Sequence, residues 1–422
     1  MIDRIGVAGV DSIINVKDVL PVELVTGEAH LPKGYIAGGM HVGIKRKKKD
    51  LGWIVTETSA EGALVTTQNK YPAAPIVLIR ETFGRFGPLK GVIVNSGNAN
   101  ALTGSDGMRD ARVMQEKFAE LIGARAHEVI IASTGVIGVP LPIEKILHGY
   151  DLLREDGALS HHDPEAFAAS ILTTDTVSKI VSAKLAIDGT VVTVSGYAKG
   201  SGMIQPNMAT MLAYVMTDAE VKGADLYPLW KSVIQKTFNR ISVDGDESTN
   251  DMALLLANGA AGVLLAPDHP AWPAFAGAVY AVARELARMI ARDGEGATKL
   301  LEVVVTGAAS EVDADKVGRA IVNSPLVKTA IYGEDANWGR IVAAIGNSGA
   351  AFDTQKVSVR IGDVLIFNAG VGLPFVESDV QAYLSGSTVR ITVDMGAGDH
   401  ESEWFGCDLT EGYVRINAHY RT

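Results

Sequence analysis

Strand-like and helix-like runs alternate along most of the chain, and that alternation constrains the fold more than any other feature. Short apolar or β-branched runs read as strands at "GVIVN" (91–95), "EVIIAS" (128–133), "TVVTVSG" (190–196) and "TMLAYVMT" (210–217). Further strand signals follow at "MALLLAN", "EVVVTG", "KVSVRIG", "TVRITVD", "EWFGCDL" and "YVRINA". Between these runs lie stripes at helical spacing. Val113, Met114, Phe118 and Leu121 share one face of a helix over 108–121 that stops at Gly123, and Val279, Val282, Leu286 and Met289 share another over 274–291. Pro142, Pro164 and Pro325 each open a helical pattern, where a first-turn proline forfeits no hydrogen bond. The fold class is therefore α/β, with helices layered on sheet. The breaker-rich "DGEGATK" (293–299) divides a large lobe, 1–292, from a smaller carboxy-terminal lobe, 293–422.

Charge and composition narrow the possible partners. A formal charge of −11 argues against nucleic acid or an acidic membrane as the main partner, because phosphate binding draws on clustered Lys and Arg. The one basic run, "KRKKK" at residues 45–49, is followed by Asp50 and reads as a solvated hairpin or loop. Cys407 is the only cysteine, so no intramolecular disulfide forms and a reducing, cytoplasmic setting is expected. No apolar run approaches the roughly 20 residues of a membrane helix, and the acidic first thirty residues fit neither a secretory nor a basic transit signal.

Several familiar chemistries fail on spacing. "HHD" at 161–163 lacks the i, i+4 separation that aims two imidazoles at one ion. "DGDESTND" (244–251) has Thr249 where a calcium loop needs glycine and Leu255 where it needs glutamate, so a hydrogen-bonded turn is expected there. "KGSGMIQP" and "GEGATK" miss the phosphate-loop spacings. "GNSGA" around Ser348 imitates a hydrolase elbow, but the run before it reads as a helix where the elbow needs a strand. What remains is a set of Gly, Asn, Ser and Thr segments: "NSGNANALTG", "ASTGVIG", "TTDT" and "NMAT". Turn chemistry explains each one alone. Together they suggest a site whose polar work is done by backbone N–H groups and hydroxyls, as acyl transfer requires.

Read as an ordered set, these segments carry a resemblance. "LPKGYIAGGMHVGIK", "NSGNANA", "STGVIG", "TTDT", "KGSGMIQPNMATML", "FNRISVDGDESTND", "DGEGATK", "SPLVKTAIYGEDANWGRI" and "CDLTEGYVRINAHYRT" resemble the glutamate N-acetyltransferase, or ornithine acetyltransferase, family of arginine biosynthesis. The resemblance implies a layered α-β-β-α sandwich shared with self-cleaving aminopeptidases. It implies a precursor that cuts itself between Ala209 and Thr210, leaving an α chain, 1–209, and a β chain, 210–422, that stay associated as an α2β2 heterotetramer. It implies that Thr210 is the nucleophile and that Thr134 and Gly135 form the oxyanion hole. The substrate contacts it implies are Thr176 (with Thr174 the less favoured choice in "TTDT"), Lys199, Thr210, Glu295, Asn417 and Thr422. Acetyl would pass from N2-acetylornithine to L-glutamate through acetyl-Thr210, with no cofactor or metal; acetyl-CoA would enter only as a second donor, if the enzyme is bifunctional. Two rival readings predict other behaviour: a self-processed aminopeptidase or amidohydrolase would release acetate or free amino acids, and a non-catalytic binding protein would keep its chain intact.

Overall fold

The structure is a computed structural model that describes residues 22–157, 162–205 and 211–419. Two sheets organise it. The first comprises β1 (Leu24–Thr26), β2 (Tyr35–Met40), β3 (Leu51–Thr66), β4 (Phe86–Asn98), β5 (Val129–Val136), β6 (Lys179–Ile187), β7 (Thr190–Lys199), β8 (Leu212–Thr217) and β9 (Met252–Ala257). Their order is β1-β6-β7-β8-β9-β3-β4-β5, with β2 paired to β3. The middle strands β8 and β9 run parallel, with Leu212 opposite Met252. Their apolar runs are unbroken because both faces are covered.

Helices α1 (Ala74–Thr82), α2 (Gly104–Ile122), α3 (Ile143–Asp156) and α4 (Pro164–Ser170) cover one face; there Met114, Phe118, Ile146 and Phe167 share a core with Leu212, Tyr214 and Met216. On the other face, α5 (Gly223–Lys236) and α6 (Trp272–Arg292) bring Trp230, Val279, Val282 and Leu286 against Ala213, Val215 and Leu255. This is the α/β layering that the alternating signals dictate. β3 is long enough to serve both halves of the sheet: residues 51–56 pair with β2, residues 61–66 pair with β9, and its register against β4 shifts between Val55 and Ala60.

The second sheet contains β10 (Leu300–Ala308), β11 (Ser358–Ile361), β12 (Val364–Asn368), β13 (Val371–Gly372), β14 (Thr388–Asp394) and β15 (His400–Cys407), in the order β13-β12-β11-β14-β10-β15. Its own core, around Val303, Val305, Ile321, Ile341 and Ile391, is shared with α7 (Glu311–Asn323), α8 (Pro325–Tyr332), α9 (Trp338–Gly346) and α10 (Glu377–Leu384). α9 ends just before Ser348, so the strand that a hydrolase elbow needs is absent there. Ion pairs join α6 to this sheet: Arg284 with Glu403 and Arg288 with Glu302.

One expected strand is a helix. "YVRINA" lies in α11 (Glu411–His419), none of whose residues is buried. Tyr, Val and Ile favour strands on a half-buried pleated surface, but no residue of this segment is buried, so that preference carries little weight and a helix satisfies its backbone. The basic run is a bent loop, as expected, but it is tied down. Buried Asp50 accepts the backbone N–H groups of Val42 (2.6 Å) and Lys45 (2.8 Å).

Candidate active site

A cavity of about 140 Å³ opens where β5 and β7 end and β8 begins; Thr134, Gly135, Thr174, Lys199, Glu295 and Asn417 are among its lining. Stretches far apart in sequence converge there, and hydrogen bonds explain how they are held.

The Thr134–Gly135 turn comes first. β4 and β5 run parallel, and their ends are laced by polar side chains: Ser133 Oγ donates to Asn95 Oδ1 (2.5 Å) and Asn95 Nδ2 donates to the Asn98 carbonyl (2.9 Å). Asn250 Nδ2 donates to the carbonyls of Ala99 (2.6 Å) and Ser133 (2.8 Å), tying both strand ends to the segment before β9. Gly135 has φ +134°, and a Cβ there would collide with the backbone of Gly97 and Asn98, so the turn needs glycine. The result is a rigid edge that presents a hydroxyl and a backbone N–H beside the cavity.

Lys199, at the end of β7, is buried, and its Nζ donates to Thr134 Oγ1 (3.2 Å). Because the lysine donates into that oxygen, the Thr134 hydroxyl must direct its own proton elsewhere. Burial pulls the Lys199 ammonium below the usual lysine range, against the opposing attraction of Asp175, Asp251 and Glu295.

Beneath the cavity lies an ionic knot that the sequence reading did not identify. Lys179 Nζ is fully buried and donates to Asp175 Oδ1 (2.8 Å) and Asp293 Oδ2 (2.6 Å). Asp175 also accepts the N–H groups of Gly200 (2.7 Å) and Thr173 (3.0 Å). Burial opposes ionisation of Asp175, but the charges of Lys179 and Lys199 outweigh it and hold the carboxyl well below the usual carboxylate range. The knot thus fixes "TTDT", the 199–202 turn and the 293–295 segment relative to one another. Asp175 and Asp293 stand inside segments the sequence singled out, but no local pattern shows that a lysine 114 residues before Asp293 joins them.

Glu295 completes the ring. Its N–H donates to the Ser201 carbonyl (2.9 Å), and its Oε2 accepts from Asn417 Nδ2 (2.8 Å). A Cβ on Gly202 would strike the Glu295 carboxylate, so the absence of a side chain there lets the charge sit against the turn. Among the threonines of "TTDT", Thr173 and Thr174 line the cavity. Thr176 is not part of that lining; its N–H (3.1 Å) and its hydroxyl both donate to Asp293, so the hydroxyl is engaged in holding the loop.

Ala209 and Thr210 lie outside the described residues, and so does Thr422. Residues on either side of the 206–210 segment, however, border the cavity: Gly202 and Met203 before it, Met211 and Leu212 after it. Met203 adopts φ +56°, a left-handed conformation uncommon outside glycine, and is held there by Asp244, which accepts the N–H groups of Met203 (2.6 Å) and Ile204 (2.8 Å). The "DGDESTND" turn therefore anchors the approach to the junction.

Among the described residues no cluster of His, Cys, Asp and Glu could hold a metal ion, and no helix is long and apolar enough to cross a membrane. The chemistry available is that of hydroxyls, backbone N–H groups, the buried Lys199 ammonium and the carboxylates of Asp251 and Glu295.

Comparisons with known proteins give the family. The model of the ArgJ family matches residues 36–422. The arginine biosynthesis bifunctional protein ArgJ of Oceanobacillus iheyensis is 48% identical over 402 residues, covering 94% of this chain and 97% of that one. The Bacillus subtilis protein of the same name is 48% identical over 399 residues, with the same two coverages of 94% and 97%. A crystal structure of the arginine biosynthesis bifunctional protein argJ from Bacillus halodurans is 46% identical and covers 49% of this chain and 98% of its own, with a TM-score of 0.48. The match extends from β2 through the carboxy-terminal segment at close to half identity, and the chain belongs to the ArgJ family.

Proposed function

We propose that this chain is a self-processed acetyltransferase of arginine biosynthesis, which moves an acetyl group from N2-acetylornithine to L-glutamate through an ester on Thr210. The observation that carries the reading is that residues 202–203 and 211–212, on either side of the 206–210 segment in sequence, border the cavity where Thr134, Gly135, Lys199 and Glu295 meet.

Processing comes first. Thr210 Oγ attacks the Ala209 carbonyl, the peptide bond gives way to an ester, and water opens the ester to leave a carboxylate on Ala209 and a free amine on Thr210. A hydroxyl is a weak nucleophile without a base beside it, and an α-amine titrating near 8 supplies one. In the mature cycle that amine takes the Thr210 hydroxyl proton as Oγ attacks the acetyl carbonyl. The Thr134 hydroxyl and the Gly135 N–H stabilise the oxyanion. The proton passes to the departing ornithine amine. Glutamate's neutral amine then attacks the ester, and Thr210 recovers its proton. One amide replaces another, so no energy source is required.

Lys199 takes a substrate carboxylate and Glu295, oriented by Asn417, takes an ammonium group; both pairings gain strength in a site that excludes water. Of the "TTDT" threonines, Thr173 and Thr174 line the cavity and Thr176 bonds Asp293, which supports Thr174 as a substrate contact alongside the Thr176 that the resemblance implies. Helix α11 places Asn417 on Glu295, and Thr422, three residues beyond that helix, is kept as the further substrate contact that the resemblance implies. Acetyl-CoA serves as a second donor, its thioester acetylating Thr210 as the CoA thiol leaves with the proton. The processed chains assemble as α2β2 in the cytoplasm.

The decisive assay follows acetyl transfer from N2-acetylornithine to glutamate by mass. Acetylglutamate formed in step with ornithine supports the reading, and free acetate as the main product would favour a hydrolase.

A further inference from the structure

We infer that the basic loop at residues 45–49 binds the phosphates of a nucleotide-bearing acyl donor, acetyl-CoA, beside the cavity. The inference rests on the second-donor reading above.

The loop is built, and it is built next to the site. Asp50 clamps the backbone at Val42 and Lys45, His41 Nδ1 bonds the Lys48 carbonyl (2.8 Å), and Lys145 Nζ on α3 donates to the Gly43 carbonyl (2.5 Å). Lys45 turns inward. Its Nζ donates to the carbonyls of Lys49 (2.8 Å) and Leu172 (2.6 Å), and Leu172 directly precedes the cavity-lining Thr173. Its stem runs past Gly97, the β4 partner of Gly135, so closely that a Cβ on Gly97 would lie 3.0 Å from Lys45 Cγ. The remaining cations therefore start one residue from the wall of the oxyanion turn. Arg46, Lys47 and Lys48 are exposed, within roughly 10 Å of Lys45 along the chain. Their side chains make no hydrogen bond or ion pair among the described residues, whereas Lys49 Nζ turns back to the Gly39 carbonyl (3.1 Å).

Two physical points favour an anionic ligand. Five successive cations held around one buried carboxylate repel one another, in a chain whose formal charge is −11. The cavity, at about 140 Å³, is well below the roughly 300 Å³ of sites that enclose drug-sized ligands. It accommodates an acetyl group and an amino acid, so the nucleotide of a CoA donor must lie on the surface outside. A phosphate-free donor would have no use for the loop.

The test compares the full-length protein with its Arg46→Ala/Lys47→Ala/Lys48→Ala variant, using three acetyl donors to glutamate: N2-acetylornithine, acetyl-CoA and S-acetylpantetheine, which lacks the nucleotide. The variant is expected to show about a tenfold higher KM for acetyl-CoA, with the other two donors within twofold of the unmodified protein. Added salt should raise the acetyl-CoA KM of the unmodified protein and leave the variant nearly unaffected. An unchanged acetyl-CoA KM in the variant overturns the loop assignment while the second-donor reading stands. Failure of the unmodified protein to use acetyl-CoA, with acetylornithine turned over normally, overturns both.

Discussion

The seam between the two sheets and the wall of the cavity both bury charge, but they dispose of it in opposite ways. At the seam, guanidinium groups meet carboxylates. Arg284 holds Glu403 through two hydrogen bonds of 2.6 Å, Glu302 accepts from Arg288 (2.9 Å) and Arg390 (3.0 Å), and Arg240 reaches Glu311 (2.5 Å) and Asp315 (2.8 Å). On the cavity side Lys179 is matched in the same manner, by Asp175 and Asp293. Lys199, one strand over, is not. Its one hydrogen bond among the described residues goes to the Thr134 hydroxyl, and no carboxylate there lies within ion-pair distance. A matched buried charge fixes geometry, whereas an unmatched one is costly unless something else completes it. The contrast sets charges paired within the fold apart from the charge that the proposed function assigns to a substrate carboxylate.

The largest effect should come from breaking the matched knot. Lys179→Met leaves two buried carboxylates without their counter-charge and should lower stability by about 3–5 kcal/mol, read by chemical denaturation. Thr134→Val tests the other side of the contrast. Acetyl transfer should fall by about 100-fold to 1000-fold in kcat, with the unfolding midpoint close to that of the unaltered chain. A valine variant that lost fold and activity together would place Thr134 among the structural residues.

Lys199→Met should cost roughly 10-fold to 100-fold in kcat/KM, the size of a charged hydrogen bond. Its pH profile is more telling. Burial lowers the Lys199 pKa, so the ammonium is present at low pH and is lost as pH rises, below the range of a solvent-exposed lysine. Activity that needs the ammonium should therefore fall on the alkaline side, and the methionine variant should lack that limb. The smallest change is expected at the seam. Glu302→Gln should lower stability by about 1–2 kcal/mol, because Arg288 and Arg390 are partly exposed and keep water as a partner, and should leave turnover within twofold.

The sequence discloses this fold where one residue pattern sets the outcome. β8 and β9 are legible because six successive buried positions in each leave no place for a polar face. α4 and α8 begin at the expected prolines, and the hydroxyl or carboxylate just before each caps the first turn: Asp163 accepts from Ala166 (2.9 Å) and Ser324 from Val327 (3.3 Å). β2 and β3 are harder to see. "YIAGGM" carries glycines that only packing explains, since a Cβ on Gly38 would strike the Trp53 ring. α11 is open to misreading because its Val414 and Ile416 are exposed, where propensity for a buried sheet carries no weight.

The site divides the same way. Thr134, Gly135, Lys199, Glu295 and Asn417 are reachable from the resemblance, and all of them line one cavity. The choice between Thr174 and Thr176 depends on where Asp293 sits, and that is a tertiary fact. The Lys179 knot is silent in sequence for the same reason: its three members acquire meaning only when β6, "TTDT" and the end of α6 meet. The basic loop is legible as a run of charge, but its anchoring beside Gly97 and Leu172 is not.

Central to the whole account is the conversion of an internal threonine into a chain start. Purified, active protein should be resolved by denaturing intact-mass analysis and then by end-group sequencing. The account predicts two polypeptides, one ending at Ala209 and one whose first residues are Thr-Met-Leu-Ala. A fully active preparation consisting only of the unbroken 422-residue chain would contradict it.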